Sequence, residues 1–173
     1  RRKAYEQLLA KGFKSQLTGR SGDILSSGED YELVKALKIS GWDIMFNPNL
    51  KLKHYITANR LDWDYLKKLN QGISRSNLIF LAYEYWICKQ KNPNNLFVNL
   101  RFSWFYLIIK KNLKRSLLGL ILFISSKKRG EGSKVLIEFE RTKIVAHDLW
   151  NNKKKFVRLK KVIGKSAWRK PLS

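Results

Sequence analysis

Acidic residues are scarce in this chain. Thirteen Asp and Glu stand against 36 Lys and Arg in 173 residues, a formal net charge of +23 at pH 7. That imbalance calls for an anionic partner: nucleic acid, anionic lipid or a phosphorylated substrate. Cysteine is nearly missing. The lone Cys88 excludes an internal disulfide and fits a reducing compartment; in its apolar run it reads as a small buried hydrophobe. No Cys/His cluster suggests structural zinc, and no internal repeat is visible. No uninterrupted apolar stretch approaches the ~20 residues that span a bilayer. The only methionine is Met45 and the chain opens Arg1-Arg2-Lys3, so the expectation is a piece of a longer protein whose N-terminal part lies before Arg1.

What is present argues for a folded domain. Hydrophobic residues make up 44% and aromatics 13%, enough for a real core and too many for a disordered tail. Arg2 to Lys11 has Ala4, Leu8 and Leu9 at helical spacing, with Gly12 to end it. A loop follows, holding Gly19-Arg20-Ser21-Gly22, in which Arg20 can meet a phosphate or simply belong to a turn.

Ser26-Ser27-Gly28-Glu29-Asp30-Tyr31-Glu32-Leu33 then opens a helix predicted over Glu29 to Ser40, with Leu33, Val34, Leu37 and Ile39 as its apolar set and Gly41 as its stop. Ser27 and Asp30 have capping-box spacing. A carboxylate in the first turn is favoured by the free N–H groups and the helix dipole by ~0.3–1 kcal/mol and stays ionised.

Beyond Gly41, Trp42 to Phe46 reads as a short strand stopped by Asn47-Pro48-Asn49, and Leu50 to Ile56 alternates with period two, a half-exposed strand carrying His54. Asp62 caps a helix predicted from Trp63 to about Lys89, with Gly72 as a point of interruption and Asn92-Pro93-Asn94-Asn95 as the break. From Leu96 the chain alternates strongly apolar runs with Arg101, Lys110, Lys111, Lys114 and Arg115. That pattern fits either a membrane-surface helical pair or a buried hairpin. Ser125 to Ser133 is a linker, and Val135 to Gly164 forms one or two basic helices. The division expected is 1–92, 96–124 and 134–173.

Several pieces recur in a fixed order: Arg1 to Tyr5, Gly12-Phe13, Gly19 to Gly22, Ser27 to Leu33, Gly41-Trp42, Asn47-Pro48, Leu50, His54-Tyr55, Arg60-Leu61 and Tyr65-Leu66. Together they resemble the C-terminal half of a bacterial family-two glycosyltransferase catalytic domain, over roughly residues 1–85. The resemblance implies an α/β fold. This chain would supply its acceptor-binding C-terminal part, mostly helical with a short strand pair and followed by basic amphipathic helices. It implies inverting transfer from a nucleotide-sugar donor to a glycan or lipid-linked acceptor, a divalent metal (Mn²⁺ or Mg²⁺), and a peripheral place on the cytoplasmic face of the inner membrane. Asp30 falls on the general base and Glu29 on its neighbour, which helps to orient the acceptor. His54 falls on a metal ligand, and Arg60, with Arg20, lies near the diphosphate. The Asp-x-Asp metal motif and nucleotide-binding strands of that family would precede Arg1.

The chemistry suits these residue types. In-line displacement at an anomeric carbon needs a base on the acceptor hydroxyl, a stabiliser of the leaving diphosphate and fixed geometry. A carboxylate on a helix end can serve as the base, and guanidinium groups pair with phosphate oxygens. Each residue also has an ordinary role open to it: His54 on a strand face, Arg60 on the surface, Trp42 and Trp63 in the core. His147 beside Asp148 reads as a helix-surface pair, since no motif places a serine or cysteine nucleophile nearby. The alternative function is a basic membrane-peripheral or nucleic-acid-binding module without catalysis. No specific nucleic-acid motif is present, and the positive charge is spread rather than gathered on one recognition element.

Overall fold

A computed structural model of the chain describes residues 2–17, 28–125 and 134–171. Its regular elements are α1 (Arg2–Ala10), α2 (Glu29–Ile39), a 3₁₀ turn (Ala58–Arg60), α3 (Trp63–Lys91), α4 (Leu96–Arg101), α5 (Trp104–Ser125), α6 (Lys134–Asn151) and α7 (Lys153–Lys165). The basic C-terminal region thus divides into two helices.

The 29-residue α3 is the axis of the fold. Helices α2, α6 and α7 all pack along it, and α5 lies on α6. One core joins Leu8, Phe13, Ile39, Tyr83, Leu149, Phe156 and Trp168, so chain from both ends meets around α3. Gly72 is buried inside α3 and the helix runs through it unbroken. Nearby Ser74 and Ser76, also buried, donate to the carbonyls of Asn70 (2.6 Å) and Gly72 (3.3 Å), which lets small polar side chains sit inside without orphan hydroxyls. Asp62 stands before the first turn of α3 in extended geometry but makes no side-chain cap bond.

At its other end α3 holds α7. The Trp86 indole donates to the Lys160 carbonyl (2.7 Å), with Gly164 directly against the ring. Beyond α7, Trp168 meets Phe13 edge-on at 5.4 Å and stacks on Tyr83 at 6.2 Å. The amide of Gln90 donates to the carbonyls of Ile39 (2.7 Å) and Lys170 (3.0 Å), and the Lys170 N–H donates to Ile39 (3.0 Å). The C-terminal segment is thereby tied to the end of α2.

The α/β expectation is overturned: among the described residues every regular element is helical. Trp42 to Phe46 and Leu50 to Ile56 have no regular secondary structure and form no strand pair. Between them lies a tight turn, Leu50 N–H to the Asn47 carbonyl at 3.2 Å, with the Asn47 side chain accepting from Asn49 N–H at 3.0 Å. Met45, Phe46, Leu52 and Tyr55 all lie open to solvent. Alternation marks a chain that could have two faces, but a strand also needs a neighbour for its N–H and C=O groups and a cover for its apolar face.

Candidate functional site

The N-terminal turn of α2 presents the two carboxylates singled out in the sequence. Glu29 and Asp30 are both exposed there. The residue that starts the helix is Gly28, at φ 118°. A side chain at Gly28 would be strained by that backbone and would strike the Phe80 ring of α3, its Cβ coming within 2.5 Å of Cζ. Ser27 and Arg20 lie outside the described residues, so the proposed capping box and phosphate contact are not described.

What holds this helix end in place is Glu32, which the apolar pattern did not pick out. The buried stripe of α2 is Glu32, Lys35, Ala36 and Ile39. Leu33 and Leu37 flank the core only partly buried, and Leu9 of α1, expected inside, is exposed. The Glu32 carboxylate is fully buried and accepts four hydrogen bonds: from Ser15 Oγ (2.6 Å), the N–H groups of Gln16 (2.8 Å) and Leu17 (3.1 Å), and Tyr83 Oη (2.9 Å). A buried carboxylate is tolerable on those terms, because its lone pairs are met by donors aimed at it. Burial, and then the adjacent Glu32 charge and hydrogen bond, push the Tyr83 hydroxyl far above the ordinary tyrosine range, so it remains a donor. One turn along, buried Lys35 pairs with Glu84 of α3 and places its Nζ 4.4 Å from the Tyr31 ring centroid. Tyr31 in turn meets Phe80 edge-on at 4.9 Å. The result is a rigid helix start. Glu29 and Asp30 point outward from it while the inner face is bolted to α3 and to residues 15–17.

His54 and Arg60 are exposed on the segment between α2 and α3, Arg60 closing the 3₁₀ turn. Among the described residues no hydrogen bond or ion pair joins either of them to Glu29 or Asp30. No group of three His, Cys, Asp or Glu side chains among those residues could hold a metal ion. His54 is therefore a single imidazole, and the described side chains do not by themselves fit a metal. Trp42 and Trp63 are half-buried; Trp63 lines a cleft of about 270 Å³ between α3 and α6 together with Leu66, Asn70 and Ile137. His147 is exposed, 3.9 Å from the Asp148 carboxylate, with the Asn151 amide 2.9 Å from its Nε2. Among the described residues that line the cleft beside it there is no serine, threonine or cysteine. Comparison of the chain with protein-family models, curated proteins and solved structures returned no match.

The remaining surface is markedly cationic. From Leu96 to Ser125 there are five basic residues and no acidic one, and from Lys153 to Lys170 nine basic and no acidic one. On α7 the apolar side chains Phe156, Leu159 and Ile163 face the core and Lys160 is half-buried, its Nζ donating to the Phe102 carbonyl (3.3 Å), which leaves Lys153, Lys154, Lys155 and Lys161 to the solvent side. None of the helices among the described residues is long and apolar enough to cross a membrane.

Proposed function

We propose that this chain is the acceptor-side part of an inverting family-two glycosyltransferase. It would transfer a sugar from a nucleotide-sugar to a glycan or lipid-linked acceptor at a membrane surface, with Asp30 as general base and Glu29 orienting the acceptor. The observation that carries the reading is the exposed Glu29–Asp30 pair on a helix end made rigid by Glu32. It stands inside the ordered set of motifs that resembles this family. A base must be fixed to within a fraction of an ångström to act on an acceptor hydroxyl, and a helix start bolted from beneath provides that. Arg60 and Arg20 would meet the diphosphate; a divalent metal would take ligands in addition to His54 from outside the described residues. The excess positive charge would hold the enzyme against anionic lipid, at the cytoplasmic face of the inner membrane.

The test is Asp30→Asn in the full-length protein. Transfer should fall by about 10²–10⁴-fold with nucleotide-sugar binding retained. Turnover at the native rate sinks the reading.

A second reading keeps the cationic surface and drops the chemistry: a membrane-peripheral module without catalysis. The exposed, ungrouped positions of His54 and Arg60 favour it. The full-length protein would then show no sugar transfer with any donor, while binding to lipid persisted.

A further inference from the structure

Helix α5 is apolar on two sides, and among the described residues only one of them is covered. Leu107 and Ile108 are buried at 5% and 6% exposure on the side that faces the rest of the fold. The Phe139 ring of α6 lies against Gly119, and Lys114 pairs with Glu138 at the edge of that contact. Phe105, Ile109, Leu113 and Leu117 then follow at successive four-residue steps, continued by Leu120 and Ile124, and all six stand 50–74% exposed. Steps of three and four stack side chains on one side of a helix, so these six form a single stripe. From Phe105 to Ile124 it runs about 29 Å. Leu96, Phe97 and Leu100 of α4, equally exposed, adjoin its start.

We propose that this stripe of α5, extended by α4, lies flat on an anionic lipid surface. The inference deepens the membrane location in the reading above and rests on it, but needs no catalysis. Charge selects the occupant. The rim of the stripe carries exposed Arg101 and Lys110, and no acidic residue occurs anywhere from Leu96 to Ser125. A second copy seated on the same face would set these cations against their equivalents, in a chain already at +23. A leaflet of anionic headgroups meets both features at once, taking apolar side chains to the acyl boundary and lysines at the phosphates.

Trp104 at the start of α5 turns away from the stripe and into the fold, where its indole donates to the Leu149 carbonyl (2.8 Å) and its ring lies 6.0 Å from that of Trp150. The lysines within α5 explain why it rests on a membrane rather than crossing one.

The test is co-sedimentation of the chain with vesicles of phosphatidylcholine alone and of phosphatidylcholine mixed with phosphatidylserine, without donor or acceptor. The wild type should sediment with the mixed vesicles and be released by added salt. Leu113→Gln with Leu117→Gln should weaken that binding at least about tenfold. Lys110→Glu should weaken binding to the mixed vesicles only. Both sets should keep the wild-type melting temperature, because the positions are exposed. The proposal is overturned if the wild type stays in the supernatant with both vesicles, if the Gln variants bind like wild type, or if the stripe instead closes a salt-insensitive dimer that those variants dissolve. Loss of vesicle binding with transfer intact removes this inference alone; loss of transfer in Asp30→Asn says nothing about it.

Discussion

The hydroxyl of Tyr83 on α3 donates to the carboxylate of Glu32 on α2 at 2.9 Å, across 51 positions of sequence. That bond ties the two helices together at the level of the exposed Glu29–Asp30 turn. Trp168, which reaches the same spot from the far end of the chain, stacks on the Tyr83 ring.

Removing the carboxylate should cost more than removing the hydroxyl. Glu32→Ala leaves Gln16 N–H and Tyr83 Oη without an acceptor, each worth ~1–3 kcal/mol when orphaned, while Ser15 Oγ and Leu17 N–H keep only their local contacts (2.8 and 3.1 Å), so a loss of at least about 2 kcal/mol is expected. Tyr83→Phe leaves Glu32 three of its donors and should cost about 1–2 kcal/mol. Urea denaturation midpoints of the two variants measure the order. If Glu32→Ala proves as mild as a surface substitution, the rigid helix start is wrong.

Gly164 sits inside α7, where alanine is normally better by about 1 kcal/mol. Here the added methyl would run into the Trp86 indole, which is held by its bond to the Lys160 carbonyl. Gly164→Ala should therefore destabilise, by about 1–2 kcal/mol, as overpacking does. Combining it with Trp86→Phe should reduce that penalty, and a double-mutant cycle on melting temperature reads the coupling.

Asp148 has its carboxyl pKa raised above the ordinary 3.8, chiefly by burial, with His147, Arg75 and Lys155 pulling partly the other way. A carboxyl whose folded pKa is raised favours the native state below its unfolded pKa and loses that contribution as pH rises through the folded value. Asp148→Asn should accordingly be more stable than wild type at neutral pH. The gap should close by about pH 3, where the wild-type carboxyl is protonated in both states. Melting curves of both proteins across that range decide it; a variant less stable at neutral pH would reverse the sign argued here.

Read without a structure, the chain declared its helices and misdeclared its extended segments. The ends of α1 and α2 and the start of α3 followed from Gly12, Gly41 and Asp62 and from apolar spacing, because a helix closes its hydrogen bonds within four residues. Leu50 to Ile56 alternates just as clearly, yet its pattern says nothing about whether a neighbouring strand exists. The Gly72 interruption failed for a related reason: packing around α3 outweighs the roughly 1 kcal/mol that one glycine costs.

The sequence by itself determined the net charge, the helical periods, the cation-rimmed apolar run of α5 and the position of Glu29 and Asp30 at a helix start. Each is local, written in neighbouring residues. Only the tertiary structure decided that Glu32 and Lys35 face inward, that no described residue covers the outer stripe of α5, and that Trp168 closes the core beside Tyr83. Burial of a charge depends on donors brought from residues 15–17 and 83, and exposure of an apolar face depends on what does not pack there. Neither is a property of the segment that bears it.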